Sequence, residues 1–164
     1  MKKLFIALTV VVLAGIGAWF AWRPAPAAPA VAFTTITGEN LSMADLKGKV
    51  VLVKFWATSC TTCVKQMPDT IAYYDKYHDR GYETIAVAMD YDPPNYVLNF
   101  AQTRKLPFKV ALDTKGEIAH AFGDVRLTPT AFLIDRQGRI IKRYLGEYDK
   151  AEFQAAVEGA LAAG

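Results

Sequence analysis

The sequence predicts a mixed α/β sheet covered on both faces. Three observations lead there. Val50-Val51-Leu52-Val53 and the segment Thr84 to Met89 are apolar, β-branched runs without the polar alternation of a half-exposed strand, so each reads as a strand buried on two sides. A helix-compatible segment follows each run, the alternation expected of strand–helix units. Two further strand segments, Thr130 to Ile134 and Ile140 to Leu145, then flank Asp135-Arg136-Gln137-Gly138, a hairpin signal with glycine in the turn.

In chain order, Phe33 to Ile36 reads as a short edge strand. Ser42-Met43-Ala44-Asp45-Leu46 resembles a capped helical turn ended by Gly48. After the strand Val50 to Trp56, a helix should run from Cys60 to about Arg80 and end at Gly81, with Pro68 inside it as a kink. Asp90-Tyr91-Asp92-Pro93-Pro94 stops the second buried strand, and Asn95 is placed to cap a helix reaching about Lys105. Lys109 to Leu112 is a short strand, and Glu117 to Phe122 a short helix closed by Gly123. The last helix spans about Asp149 to Leu161, with Phe153, Val157 and Leu161 stacked at four-residue spacing.

Charge is uneven along the chain. Three of the 19 basic residues, Lys2, Lys3 and Arg23, precede Glu39, the first acid; the remaining 16 balance the 16 acids. The net charge of +3 therefore belongs to the leader, and the rest is neutral, which gives no support for nucleic-acid binding. Lys2-Lys3 is followed by an uncharged run, Leu4 to Trp22. As a helix that run comes close to crossing a hydrocarbon core of about 30 Å. Its length exceeds the apolar region of a cleaved signal, and Trp19 and Trp22 suit a membrane interface. We read residues 1–22 as a signal anchor or transmembrane segment, with a cleaved signal and a soluble periplasmic protein as the alternative suggested by Ala28-Pro29-Ala30. Residues 23–30, with three prolines, form an extended linker. Residues 31–164 form one domain, long enough to bury a core.

The two cysteines of the chain, Cys60 and Cys63, stand at the junction of the first buried strand and its helix. A strand turning sharply into a helix leaves the first helical N–H groups without partners, and these, with the helix dipole, favour negative charge. Cys60 there would be a thiolate, the reactive form. Cys63 lies one turn along on nearly the same face, within reach of a disulfide formed at Cys60. This is the pattern of dithiol–disulfide exchange.

Trp56-Ala57-Thr58-Ser59-Cys60-x-x-Cys63, Pro68 five residues after the second cysteine, and Thr128-Pro129-Thr130 before a hairpin together resemble the thioredoxin fold. The resemblance covers essentially the whole domain. An N-terminal extension, a central strand–helix insertion around Tyr91 to Leu112 and the preceding transmembrane helix make the chain more similar to the membrane-anchored TlpA/ResA-like branch. That resemblance implies a thioredoxin-like mixed sheet flanked by helices and a periplasm-facing thiol–disulfide oxidoreductase on the bacterial inner membrane. It implies reduction of client protein disulfides, such as those of apocytochrome c or copper-site assembly proteins, recharged by a transmembrane electron donor. Cys60 would be the nucleophile and Cys63 the resolving thiol. Pro129 would match the family's cis-proline and, with Thr128 and Trp56, shape the substrate groove, Trp56 being read as packing that shapes the site. The cysteine pair is itself the redox centre, so no cofactor is expected.

Three departures from the pattern stand out. Ser59 replaces the usual tryptophan before the first cysteine, and Thr61-Thr62 supplies neither proline nor histidine between the cysteines. Lys54 lies six residues before Cys60, where thioredoxins carry a buried acid. Either its stem is buried and its amine reaches solvent, or it is desolvated and serves in proton transfer with Cys63 or thiolate stabilisation. Asp90 and Asp92 are its candidate partners.

Rival readings use the same residues. A thiol peroxidase would need a peroxide pocket around one low-pKa cysteine. A copper or zinc carrier would use the cysteine pair, but four-ligand zinc sites show two close ligand pairs, and His78 and His120 are distant in sequence. Tyr73, Tyr74 and Tyr77, at helical spacing, read as packing. A dedicated oxidase would share the fold and differ in potential.

Overall fold

At the centre of the computed structural model, which describes residues 25–163, lies strand β3, Val50–Trp56, with all seven residues buried. β4 (Tyr82–Ala88) pairs parallel along one side of β3, and β5 (Lys109–Leu112) parallel to β4. β6 (Thr130–Ile134) pairs antiparallel along the other side, and β7 (Ile140–Leu145) antiparallel to β6. The order β5-β4-β3-β6-β7 is the thioredoxin-like mixed sheet that the family resemblance implies. The expected membrane segment, residues 1–22, lies outside the described residues. Among the described residues no helix is long and apolar enough to cross a membrane.

Alternation along β3 divides the core into two layers. Val51, Val53 and Phe55 face Phe33, Leu41, Phe122 and Phe132. These partners come from β1 (Ala32–Thr34), β2 (Asn40–Ser42), the end of α3 (Glu117–Ala121), and β6. Val50 and Leu52 face Tyr73 and Tyr77 of α1 (Thr61–Tyr77) and Phe153 and Val157 of α4 (Lys150–Ala162). Trp56, farther along that face, packs with Cys63 and Met67 of α1 and Val97 and Ala101 of α2 (Pro94–Arg104). The sheet is therefore covered on both faces, with the active-site helix on the α4 side.

Two local expectations need correction. The expected strand Phe33 to Ile36 is half of a hairpin, Phe33 pairing with Leu41; the other half, Asn40-Leu41-Ser42, has one apolar residue and no alternation to announce it. Asn95 does not cap α2. Pro93 is the cap, in an extended conformation, and Pro94 takes the first helical position, where its fixed φ fits and its missing N–H costs nothing. The other elements start and stop near their predicted limits. Ser42 and Asp45 form a capping box on the short 3₁₀ turn Met43–Leu46, and α1 continues as a 3₁₀ turn to Arg80 before Gly81, whose φ of 88° lets the chain reverse into β4. At the near end of the described chain, Ala28 N–H donates to the Gly138 carbonyl (2.8 Å) and Ile140 N–H to that of Pro26 (2.8 Å).

Phe153 joins α4 to the sheet: it is fully buried, with its ring 4.7 Å from Tyr73, 4.7 Å from Tyr148 and 5.6 Å from Tyr144. Phe153→Ala should cost about 3–5 kcal/mol in urea denaturation. A loss under about 1 kcal/mol would show that this layer does not hold the sheet to its helices.

Candidate active site

The turn between β3 and α1 presents the cysteine pair. Cys60 N–H donates to the Ala57 carbonyl (3.1 Å), and the Cys60 carbonyl accepts from Val64 N–H (3.0 Å), the first bond of the helix. Cys60 is the N-cap residue, with extended φ and ψ. Its Sγ accepts a hydrogen bond from the Cys63 N–H at 3.1 Å, the role an oxygen plays at ordinary caps. The two sulfurs are joined in a disulfide, with the Cα atoms 5.2 Å apart. Their environments differ: Cys60 is half-buried and Cys63 has no exposed surface. An incoming sulfur can meet the first and not the second.

Around this pair, the structure places the predicted groove residues unequally. The Thr128–Pro129 bond is cis. Phe55 pairs with Thr130, so the antiparallel register brings Thr128 and Pro129 to the end of the sheet from which the Cys60 turn departs. Pro129 is buried and its carbonyl accepts from Gly146 N–H (2.8 Å); Thr128 is half-buried, its hydroxyl 3.3 Å from the Tyr91 hydroxyl. Leu127 and Tyr91 leave apolar surface exposed beside it, and Ser59 is exposed next to Cys60. Trp56 lines no groove. It is fully buried, 5.1 Å from the Phe100 ring, and supports the turn from within the core.

Lys54 sits on the same face of β3 as Trp56 and has no exposed surface, which overturns the reading of an amine reaching solvent. Its expected pairing with Asp90 or Asp92 is also absent. Nζ donates to Gln66 Oε1 (3.1 Å) and Thr70 Oγ1 (3.0 Å), one and two turns along α1 from Cys63. Burial pulls its pKa down from 10.5 to about 8, against a smaller upward pull from the Asp69 carboxylate. Asp69 itself bonds Lys150 (2.8 Å) at the mouth of a polar cleft that Gln66 and Tyr148 also line.

Asp92 has a different role from the one the sequence suggested. Its carboxylate is buried and accepts two short hydrogen bonds from one residue of the active-site turn, the Thr58 N–H and the Thr58 hydroxyl, both at 2.6 Å. The signal that could have found it is the pair of prolines behind it, which fix the direction of the chain at that point. The histidines stay apart from the cysteines: His78 stacks on Tyr74 at the far end of α1, and His120 pairs with Asp124 (2.5 Å).

A model of the Redoxin family matches residues 24–160. The chain is 39% identical over 127 residues to the thiol-disulfide oxidoreductase ResA of Bacillus thuringiensis, covering 77% of this chain and 72% of that protein. It is 32% identical over 144 residues to the sporulation thiol-disulfide oxidoreductase A of Bacillus subtilis, covering 83% and 86%. The crystal structure of a thioredoxin-family thiol:disulfide interchange protein from Chlorobium tepidum superimposes with a TM-score of 0.77 at 29% identity, covering 85% of this chain and 98% of that one. With the capped cysteine pair and the five-stranded sheet already in place, these likenesses show that the chain belongs to the Redoxin family, among its TlpA/ResA-like thiol–disulfide oxidoreductases.

Proposed function

We propose that this protein reduces disulfides in client proteins on the periplasmic side of a bacterial inner membrane, apocytochrome c or copper-site assembly proteins being the client classes that suit its family. The observation that carries the reading is the paired placement of the sulfurs, one half-exposed at a helix N-terminus and the other buried behind it. In the reduced protein the Cys60 thiolate attacks a client disulfide. The client S–S bond breaks, a mixed disulfide to Cys60 forms, and one client sulfur leaves as a thiolate that takes a proton. Cys63, deprotonated, then attacks the Cys60 sulfur. The intramolecular disulfide seen here forms, the second client thiol is released, and two electrons have passed from the cysteine pair to the client. No dissociable cofactor enters these steps, and the oxidised pair is returned to the dithiol by a membrane-embedded electron donor.

Residues 1–22 serve in this reading as the membrane anchor and 23–30 as the linker to the domain 31–164, although Pro26 to Ala28 of that expected linker are fastened to the domain itself. Pro26 and Ala28 bond to the β6–β7 turn, whereas the Cys60 turn leaves the opposite end of the sheet. Seven residues of β3, about 20 Å, separate the two ends. A tether entering at Pro26 thus turns Cys60 away from the bilayer, toward soluble clients. Thr128 and Pro129, with exposed Leu127 and Tyr91, provide the surface on which a client segment lies, and Lys54 assists Cys63, as a cation favouring its thiolate or as an amine taking its proton.

Three outcomes are expected. Cys63→Ser should trap clients from a periplasmic extract as mixed disulfides visible on non-reducing gels, and Cys60→Ser should trap none; the reverse pattern would exchange the two roles. The cysteine pair, equilibrated against glutathione, should have a potential nearer the reducing end of this fold, about −270 mV, than the oxidising end, about −120 mV; a value near the latter makes the protein an oxidase. Lys54 gives a pH signature. Its native pKa lies below the unfolded value of 10.5, so between about pH 8 and 10.5 the unfolded chain holds a proton that the native state has released. Stability must rise with pH across that window, by roughly 3 kcal/mol, and this contribution is lost as pH falls through 8. The stability difference between the parent and Lys54→Met, measured in urea at the two ends of the window, should shift by that amount; a constant difference would show that Lys54 does not change charge there.

A further inference from the structure

The insertion between β4 and β5 reaches back to the active-site turn through one buried carboxylate. Asp92 is 4% exposed, and both its oxygens are spent on Thr58: Oδ2 accepts from the backbone N–H and Oδ1 from the hydroxyl, each at 2.6 Å. Thr58 lies two residues before Cys60, within the turn closed by the bond from Cys60 N–H to Ala57. Asp92 is itself held on both sides. Its N–H donates to the Met89 carbonyl (3.0 Å), while Met89 N–H donates to the carbonyl of Trp56 (3.0 Å). Behind it Pro93 and Pro94 fix the backbone into the start of α2, and a residue before proline has few conformations open to it. A ring of bonds thus runs from the end of β3 to Met89, Asp92, Thr58 and the Cys60 turn.

We propose that Asp92 is a positioning residue for thiol–disulfide exchange: its two-oxygen clamp on Thr58 sets the turn that places the Cys60 sulfur at the N-terminus of α1. The inference rests on the exchange reading of the cysteine pair. A clamp matters here because the sulfur's position relative to the helix N–H groups controls how readily it ionises. Misplacement of a reacting atom by about 1 Å can cost on the order of a hundredfold in rate. Thr58 offers two donors that only a two-acceptor partner, or an amide with its nitrogen toward the hydroxyl, can engage together.

Asp92→Ala, Asp92→Asn and Thr58→Val separate geometry from charge. Two readouts are taken on each reduced protein: the pH–rate profile of Cys60 alkylation by iodoacetamide, resolved by peptide mass, and the single-turnover reduction of oxidised glutathione. Asp92→Ala should slow both by about ten- to a hundredfold and move the alkylation profile to higher pH. Asp92→Asn, keeping one acceptor for the N–H and a donor for the hydroxyl, should stay within about threefold of the parent. Thr58→Val, which spares the backbone half of the clamp and serves if Asp92→Ala does not fold, should fall between them. Parent-like rates and profile in Asp92→Ala or Thr58→Val would overturn the clamp. So would an Asp92→Asn as slow as Asp92→Ala, since charge and not geometry would then be responsible. Should the parent fail to reduce glutathione while its Cys60 alkylation still depends on Asp92, the clamp stands and the exchange reading falls.

Discussion

The fixed end of β3 is the constraint on which the site depends. Both faces of the strand are packed and both edges are hydrogen-bonded to neighbours, parallel on one side and antiparallel on the other. Displacing Trp56 would expose apolar surface in the core and break ladder bonds together, so the turn after it departs from an immobile base. Each later element is placed from that point. The Cys63 N–H of α1 reaches the Cys60 sulfur because the turn is short, and Thr128–Pro129 arrives at the same end of the sheet because the β6 register is locked to β3. The position of Cys60 is in this sense a property of a buried strand that ends four residues before it.

The same packing explains the asymmetry of the two sulfurs and the oddity beneath them. Cys63 is buried because it begins the buried stripe of α1 that continues through Met67, Thr70, Tyr73 and Tyr77 onto the sheet. Lys54 sits under that stripe in a strand otherwise built of apolar residues, hydrogen-bonded to neutral Gln66 and Thr70. A methionine would fill the space without a charge to desolvate, so the lysine costs the fold stability at neutral pH. Neutral partners leave its charge uncompensated at hydrogen-bond range, and burial is the larger of the two influences on its proton. A group held in this way answers strongly to any new charge nearby, and in the proposed exchange the thiolate of Cys63 would be such a charge on the same helix face.

Much of this was legible from residue order. Continuous β-branched runs marked the central strands, the Asp135–Gly138 turn gave the hairpin, and Cys60-x-x-Cys63 at a strand–helix junction gave the site, because each rests on local chemistry that tertiary packing reinforces. What was not legible depended on distance in sequence. β2 is too short to show a period, and its strand character comes only from Phe33 across the hairpin. Trp56 reads equally as groove or core until the position of Phe100 is known. The partners of Lys54, Gln66 and Thr70, lie on a helix whose rotation against the sheet is set by the whole buried stripe, so residue order does not single them out from the charged aspartates that follow the neighbouring strand.

Asp92 ties the insertion to the active-site turn and not to Lys54. An added strand–helix unit at a sheet edge can be a decoration, tied to the fold through its own apolar face alone. Here α2 is fastened to the active-site turn by two contacts of different kinds. Phe100 lies against the indole of Trp56, the last residue of β3, and Asp92, just before the helix, grips Thr58 on the other side of the turn. One contact is apolar and buried, the other polar and directional, so together they fix both the depth and the rotation of the segment from Trp56 to Thr58. Cys60 follows within two residues and inherits both. The insertion is accordingly part of the machinery that holds the reactive sulfur, and its sequence is constrained by the active site as much as by the sheet edge it covers.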